Sequence, residues 1–408
     1  MLGLATPPEM QSLQTVVNWC RTTVDALAER LDVSGFRTGD PGADELLWSW
    51  WKRNDMVVAS DAAHTEALVQ GIAFVVVGRD PDEPSVPRYT VESSEALTVE
   101  FDQFGRHLRA ALRRYIEPET GELFVTLYGP NVTRSYQQRH ARWHLVDEDE
   151  HRLGVVPVVP VVNRSRVTDW FGETEMKDVM TIVDAVCRTA TNLSAASETL
   201  AVPSRYVIGA SRDDFVDAET GEPIPVWEGY LGRLNALSNA EARVVQLDGA
   251  SLENFTKTIE LYGKVVSSLT GLPVHYLGIS PNGNPSSADA IRSGESRHVK
   301  RAERKQSGFG SAWSQVSDIA LRLVAGAQLP VSTTWSDAST PTVAAKADAV
   351  VKLVQSRILP VEGAWLELGY DADKRALYRS LMSGDPLQQV LESLVPPPRE
   401  EAPRGAVE

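Results

Sequence analysis

The stretch Gly278-Ile279-Ser280-Pro281-Asn282 comes within one residue of the Gly-x-Ser-x-Gly turn that presents a nucleophilic serine for acyl transfer. Asn282 stands where the second glycine must be, and Pro281 lacks the backbone N–H that would help hold an oxyanion. Ser280 therefore reads as part of a solvated turn. His140, His144 and His151 flank the run VDEDE, with Asp147 and Glu148 between them. Histidines four apart on a helix can share a metal, but RWHLVDEDEHRLG reads as strand, turn, strand, with its acids at a hairpin tip. The chain has neither the Gly-x-x-x-x-Gly-Lys-Ser/Thr phosphate cradle nor a Gly-x-Gly-x-x-Gly turn after a strand, which excludes an ATP-driven motor. Cys20 and Cys187 are its only cysteines, too few for a disulfide framework or a cysteine-based zinc site. No catalytic residue, cofactor or metal is assigned.

Charge says more. The chain carries a formal net charge of −15, yet Arg292, Arg297, Lys300, Arg301, Arg304 and Lys305 crowd one segment, with Glu295, His298 and Glu303 interleaved. On a helix, Arg297 and Arg301 face each other one turn apart, as do Lys300 and Arg304, and like charges at that spacing destabilise. Three readings stand: a solvated face, contact with an acidic neighbouring subunit, or proximity to DNA phosphate. The acidic balance argues against a groove that grips nucleic acid, which needs many Lys/Arg contacts.

These residues must be positioned by more than one core, because 408 residues exceed the roughly 250–300 at which single cores stop growing. A composition of 42% apolar and 23% charged residues is that of a soluble globular chain. The most apolar run, LGVVPVVPVVNR, is interrupted by Pro157 and Pro160 and is too short to span a bilayer. The first residues lack the basic flank of a secretory signal, so the acceptor-like Asn131-Val132-Thr133 is expected to be a chance match. Leu13, Val16, Val17, Cys20, Val24, Leu27 and Leu31 predict one helix over about 9–31, and ADELLWSWWKRNDMVVASDAAHTEALVQ a second helical stretch ending at Gly71. IAFVVVG, ALTVEFD, ELFVTLYGPN, VTRSYQQ and GVVPVVPVV predict strands, so the first ~165 residues read as α+β with a mostly antiparallel sheet.

From Thr174 to Leu200 the spacing predicts a long helix ended by Pro203. Short strands and turns follow as far as Gly249. A second long helix is expected from Ser251 as N-cap to Gly271 as stop, with Leu252, Phe255, Ile259, Tyr262, Val266 and Leu269 as its face. A third opens at Ser286–Asp289, and a helical region and the charged, proline-rich tail PPPREEAPRGAVE complete the chain, the tail expected to be disordered.

The order of these pieces resembles the portal protein family of tailed bacteriophages, of the siphovirus type. GETEMKDVMTIVDAVCRTATNLSAASETLAVPSRYVIG resembles that family's first stem helix leading into its clip. LENFTKTIELYGKVVSSLTGLPVHYLG resembles the second stem helix with its Thr-Gly-hydrophobic-Pro ending. NPSSADAIRSGESRHVKRAERKQSGFGSAWSQVSDIAL resembles the exit of the tunnel loop and the long helix after it. TTWSDASTPTVAAKADAVVKLV and NDMVVASDAAHTEALVQGIAFVVVG resemble the entry to the C-terminal part and a piece of the wing.

The resemblance implies an α+β portal fold: a wing over 1–172, stem helices over 173–200 and 251–271, a clip over 201–250 and a tunnel loop over 272–288. A long wing helix and return strand would occupy 289–340, a short helical crown 341–395 and a disordered tail 396–408. It implies a non-enzymatic, dodecameric ring at one capsid vertex, in the virion and, during assembly, in the host cytoplasm. Double-stranded DNA would pass through without sequence-specific contact. Partners would be the terminase large subunit, head-completion or adaptor proteins, and the major capsid and scaffolding proteins, with no membrane. Ser280, Asn282, Gly283, Asn284 and Ser286 would face DNA, and Pro281 and Pro285 would stiffen that loop. Neutral tips do not grip phosphates, so DNA could slide. Asp213, Asp214, Asp217, Glu219 and Glu222 would dock the motor or form a solvated turn. Arg292, Arg297, Lys300, Arg301 and Arg304 would meet the next subunit or line the channel. The rivals are another oligomeric minor head protein and a hydrolase using Ser280 or the His140–His151 cluster.

Overall fold

The computed structural model describes residues 15–104, 107–200, 205–208, 243–246, 251–279, 288–339, 343–370 and 372–383. The chain divides into two compact units, Met1–Trp335 and Ser336–Glu408. In the first, helices α1 (Trp19–Ala28), α2 (Pro41–Arg53) and α3 (Met56–Gln70) precede most of the strands.

The helix predicted over 9–31 is shorter. Residues 15–18 are not helical, because Asn18 caps α1 by accepting from the Arg21 N–H (3.1 Å). The stretch before it lies along a later helix, with the Thr15 N–H donating to Thr191 Oγ1 (3.2 Å) and the Val17 N–H to Cys187 Sγ (3.3 Å). The single stretch expected before Gly71 is two helices. Asp55, at φ 50°, breaks it, and the Asn54 side chain ties the break down. Its Nδ2 donates to the Trp50 and Pro87 carbonyls (2.9 Å each), and its Oδ1 accepts from the Tyr89 N–H (3.0 Å).

β2 (Ile72–Arg79) is the middle strand of a three-stranded antiparallel sheet, between β3 (Pro87–Ser93) and β9 (Val158–Val162). Its continuous apolar run is buried on both faces. Ile72, Phe74 and Val76 pack on Leu97, Val99 and Ala111 of a second sheet, so Ala73, Val75 and Val77 face the helices. Pro160 is tolerated because β9 is an edge strand. The second sheet is the antiparallel meander β4 (Leu97–Phe101), β5 (Leu108–Ile116), β6 (Leu123–Tyr128), β7 (Thr133–Arg139) and β8 (Arg142–Asp149). Here the reading of strand, turn, strand with acids at the tip is corrected. The turn is His140-Ala141, with φ of 49° and 60°, as a two-residue hairpin requires. The acids Asp147, Glu148 and Asp149 lie within β8, where Arg134 of β7 pairs with Glu148 at 3.0 Å.

Beyond this sheet come α4 (Lys177–Leu200), the antiparallel pair β10 (Arg205–Ile208) and β11 (Arg243–Gln246), α5 (Glu253–Thr270) and a 3-10 turn (Val274–Leu277). Then follow the 33-residue α6 (Ala288–Ala320), a π turn (Leu321–Ala325) and β12 (Ser332–Trp335). Ser251 is not the cap of α5. Leu252 holds that position without a side-chain bond, and Glu253, in the first turn, complements the helix dipole instead. Gly271, at φ 72°, ends the helix as expected.

β12 returns to pair antiparallel with β1 (Val33–Arg37), closing α6 over an aromatic core. Trp51 meets Trp313 edge-on at 5.0 Å, and His64 stacks on Phe309 at 5.3 Å. Trp313 Nε1 donates to His64 Nε2 (2.8 Å), so the buried imidazole is neutral and carries its proton on Nδ1. The second unit holds α7 (Val343–Gln355), α8 (Val361–Glu367) and α9 (Ala372–Ser383), with Arg379 donating to Glu362 at 2.8 Å. Among the described residues no helix is long and apolar enough to cross a membrane.

Candidate functional site

α4 and α5 form a helix pair with two unlike faces. Inward, Val179, Ile182, Val183 and Val186 of α4 meet Ile259, Tyr262 and Val266 of α5, together with Trp19, Leu272, Leu277 and Ile279. Gly263 makes this approach possible, since a Cβ there would run into the Ile279 side chain and lie 3.3 Å from the Trp19 ring. Outward, α5 exposes Leu261 (59%), Val265 (39%) and Leu269 (44%), each four residues from the next, and α4 exposes Met180. Residues four apart share a helix face. The outer side of α5 therefore presents an apolar stripe to solvent.

At the foot of this pair lies a polar knot around Glu175, whose side chain is fully buried just before α4. It accepts from Arg164 (3.1 Å), Lys305 (2.8 Å), Asn163 (3.2 Å) and Arg301. Asn163 is itself buried and donates to the Glu173 carbonyl (2.7 Å). Gly172 must be glycine here, because at φ 74° its Cβ would sit 2.6 Å from the Gly71 carbonyl oxygen. Arg297 and Arg301 also donate to the Ser268 and Leu269 carbonyls (2.9 and 3.0 Å), satisfying orphaned acceptors at the end of α5.

The like-charge crowding of α6 is thus answered in part within the chain, by the buried Glu175. Lys300 pairs with Glu303 at 2.6 Å. Arg304 is exposed and has no hydrogen bond or ion pair among the described residues. Arg292 lies on α6. Nothing local in the sequence marks Glu175: it is one acid among Glu173, Glu175 and Asp178, and two of its cations lie 126 and 130 residues away.

Burial alone would raise the Glu175 pKa, but Lys305, Arg301 and Arg164 outweigh it and hold it at about 2. Burial lowers that of His64 to about 3, and that of His298 falls for the same reason. Both kinds of group bind protons more weakly folded than unfolded, so acid favours the unfolded chain. The histidine contribution is lost as pH falls from about 6.5, and that of Glu175 as pH falls from about 4.5 toward 2. Thermal melting followed by circular dichroism should show stability declining from about pH 6.5. Each histidine that fails to protonate in the fold contributes roughly 1.4 kcal/mol per pH unit. His64→Gln, which can still accept from Trp313, should make the pH 6.5–4.5 slope shallower.

A cleft of about 660 Å3 opens beside this knot, floored by Val162, Gly308 and Phe309 and walled by Arg164, Arg297, Lys300, Arg301, Arg304 and Lys305. His140, His144 and His151 form no three-residue metal-ligating group: His140 is in the hairpin turn, His144 faces Gln137 across the β7–β8 pair, and His151 follows β8. No group of three or more metal-ligating side chains is found among the described residues. The loop residues Ser280, Asn282, Gly283, Asn284 and Ser286, the acids Asp213, Asp214, Asp217, Glu219 and Glu222, and the tail lie outside the described residues.

Residues 5–373 match the family model described as phage portal protein, SPP1 Gp6-like. The portal protein of Mycobacterium phage D29 is 38% identical over 392 residues, covering 92% of this chain and 80% of that protein. That of Mycobacterium phage L5 is 37% identical over 391 residues, with the same coverage. Among solved structures, a chain from the neck of an empty gene transfer agent particle, computed with C6 symmetry, matches with TM-score 0.52 and 15% identity over 90% of this chain and 94% of that one. A chain from the neck of the native particle, computed with C12 symmetry, matches with TM-score 0.50 and 16% identity over 90% and 95%. Such low identities speak to the fold alone.

Proposed function

We propose that this chain, which belongs to the SPP1 Gp6-like phage portal protein family, closes with copies of itself into a ring at one capsid vertex, through which double-stranded DNA enters and leaves the head. The observation that carries this reading is the exposed stripe Leu261–Val265–Leu269 on α5, opposite the face that α5 already buries. Packing such a stripe on a different patch of the next copy is a head-to-tail contact, and head-to-tail contacts close into rings when the rotation allows. A solved relative in fold comes from a particle neck computed with C12 symmetry, which supports twelve copies.

In this reading residues 1–172 and 289–340 form the wing, α4 and α5 the stem, 201–250 the clip and 272–288 the tunnel loop, with the crown at 341–395. The clip, with its acids at Asp213, Asp214, Asp217, Glu219 and Glu222, would dock the terminase large subunit and later the head-completion proteins. Major capsid and scaffolding proteins would surround the wing during assembly in the host cytoplasm. The role is structural rather than catalytic. A net charge of −15 suits a conduit, since a wall that repels phosphate does not hold DNA in place. Native mass spectrometry of the purified protein tests the copy number. Twelve copies of 44.7 kDa predict one species near 12 × 44.7, or about 540 kDa. A monomer peak alone at micromolar concentration would contradict the reading.

A further inference from the structure

The basic cleft on α6 has more positive charge than its own chain neutralises. Its walls carry six cations, and the carboxylates paired with them are Glu175, Asp178 and Glu303, which leaves 6 − 3 = +3 on a chain of −15. Glu175 is fully buried, so it serves the deep side of the cleft, while Arg304 at the rim has no partner among the described residues. The cleft is also continuous with the α5 stripe: Arg301 and Arg297, two of its walls, donate to the carbonyls of Leu269 and Ser268 at the stripe's end. An apolar strip edged by polar and charged groups is how protein interfaces are commonly built.

We infer that this cleft receives carboxylates of the neighbouring copy and forms the salt-sensitive half of the subunit junction whose apolar half is the α5 stripe. The inference rests on the ring reading above. A concave site of about 660 Å3 suits protruding side chains, whereas a DNA duplex is convex and would be met by protruding cations. The net charge of −15 supplies the carboxylates on the partner. Exposed ion pairs are weak singly and are screened by salt, so they tune assembly rather than drive it.

Arg301 cannot test this, because it also holds Glu175 and reversing its charge would disturb the fold. Arg304→Glu is the clean variant. Two readouts are needed. The first is the protein concentration for half-assembly into rings at low and high salt. Arg304→Glu should raise it about tenfold at low salt, with an unchanged melting temperature of the dissociated subunit, and the difference should shrink at 1 M salt. The second uses rings assembled from equal parts of unlabelled and 15N-labelled protein, treated with a zero-length carbodiimide cross-linker. Lys300 should appear in mixed-isotope links to aspartate or glutamate, in addition to any same-isotope link to Glu303.

If wild-type rings form but Arg304→Glu assembles identically and only same-isotope links are seen, the inference falls and the ring reading stands. If Arg304→Glu assembles like wild type but binds a short DNA duplex less tightly than wild-type rings do, the cleft faces phosphate and the inference is overturned in that direction. If the wild-type protein forms no ring at all, both fall.

Discussion

Val265→Asp is expected to leave the subunit folded and to abolish the ring. Val265 lies on the outward face of α5, between Leu261 and Leu269, while the fold depends on the opposite face of the same helix, through Gly263, Val266 and Thr270. The subunit's circular dichroism and melting temperature should therefore stay near wild type. At the junction the change is severe. Fully burying a Val or Leu side chain is worth about 1.5–3 kcal/mol, so three half-exposed ones contribute roughly 3 kcal/mol per junction. Association costs at least about 4 kcal/mol in lost freedom. The stripe can hold only together with further contacts, and it has nothing to spare. An aspartate there exchanges an apolar gain for a carboxylate that must be desolvated without a partner, a cost of several kcal/mol. Repeated at every junction, that should take the assembled fraction at micromolar protein from nearly all to undetectable by sedimentation velocity. Val265→Ile, which keeps the surface apolar, should retain rings.

Glu175→Gln is expected to be the most damaging single substitution to the fold itself. It preserves shape and removes only the charge, leaving Arg301 and Lys305 packed around a neutral amide. Removing one partner of a buried ion pair typically costs about 3–5 kcal/mol, because the remaining charge is uncompensated. The Arg164 and Arg301 side chains are 27% and 20% exposed and can partly turn to water, which favours the lower part of that range. For a unit of this size the melting temperature should fall by about 5 °C. A buried ionic cluster replaced as a whole by apolar residues is often tolerated. Glu175→Leu combined with Lys305→Met and Arg301→Met should therefore recover at least half of the loss. If Glu175→Gln melts within about 1 °C of wild type, the knot does not anchor α4 to α6.

The knot was the part of the site least legible in the sequence, and the reason is physical. A glutamate at the start of a helix is ordinary, and its meaning comes from cations that reach it from β9's end and from α6. The basic run was visible, but its repulsion suggested an external partner because the internal one was out of local range. The stripe was half legible. The sequence spacing puts Ile259, Tyr262, Val266 and Leu269 on one face, whereas the fold buries Val266, packs Ile259 and Tyr262 against the same cluster, and leaves Leu269 outside with Leu261 and Val265. A helix that is apolar on two sides gives one broad pattern, and only its neighbours divide it.

β-branched runs and glycines mark elements directly in the sequence, as with β2 and the stop at Gly271. The acids of β8 are exposed, as the sequence suggests, but they lie in a strand rather than a turn, because pairing with β7 and the Arg134–Glu148 contact override their poor strand preference. The break between α2 and α3 rested on Asn54 side-chain bonds to β3, which no local pattern encodes.

Electron microscopy of the purified protein shows whether copies of the chain close into a ring. Top views should show closed annuli with a central hole. A population of single globules without a hole, persisting at high protein concentration and low salt, would contradict ring closure.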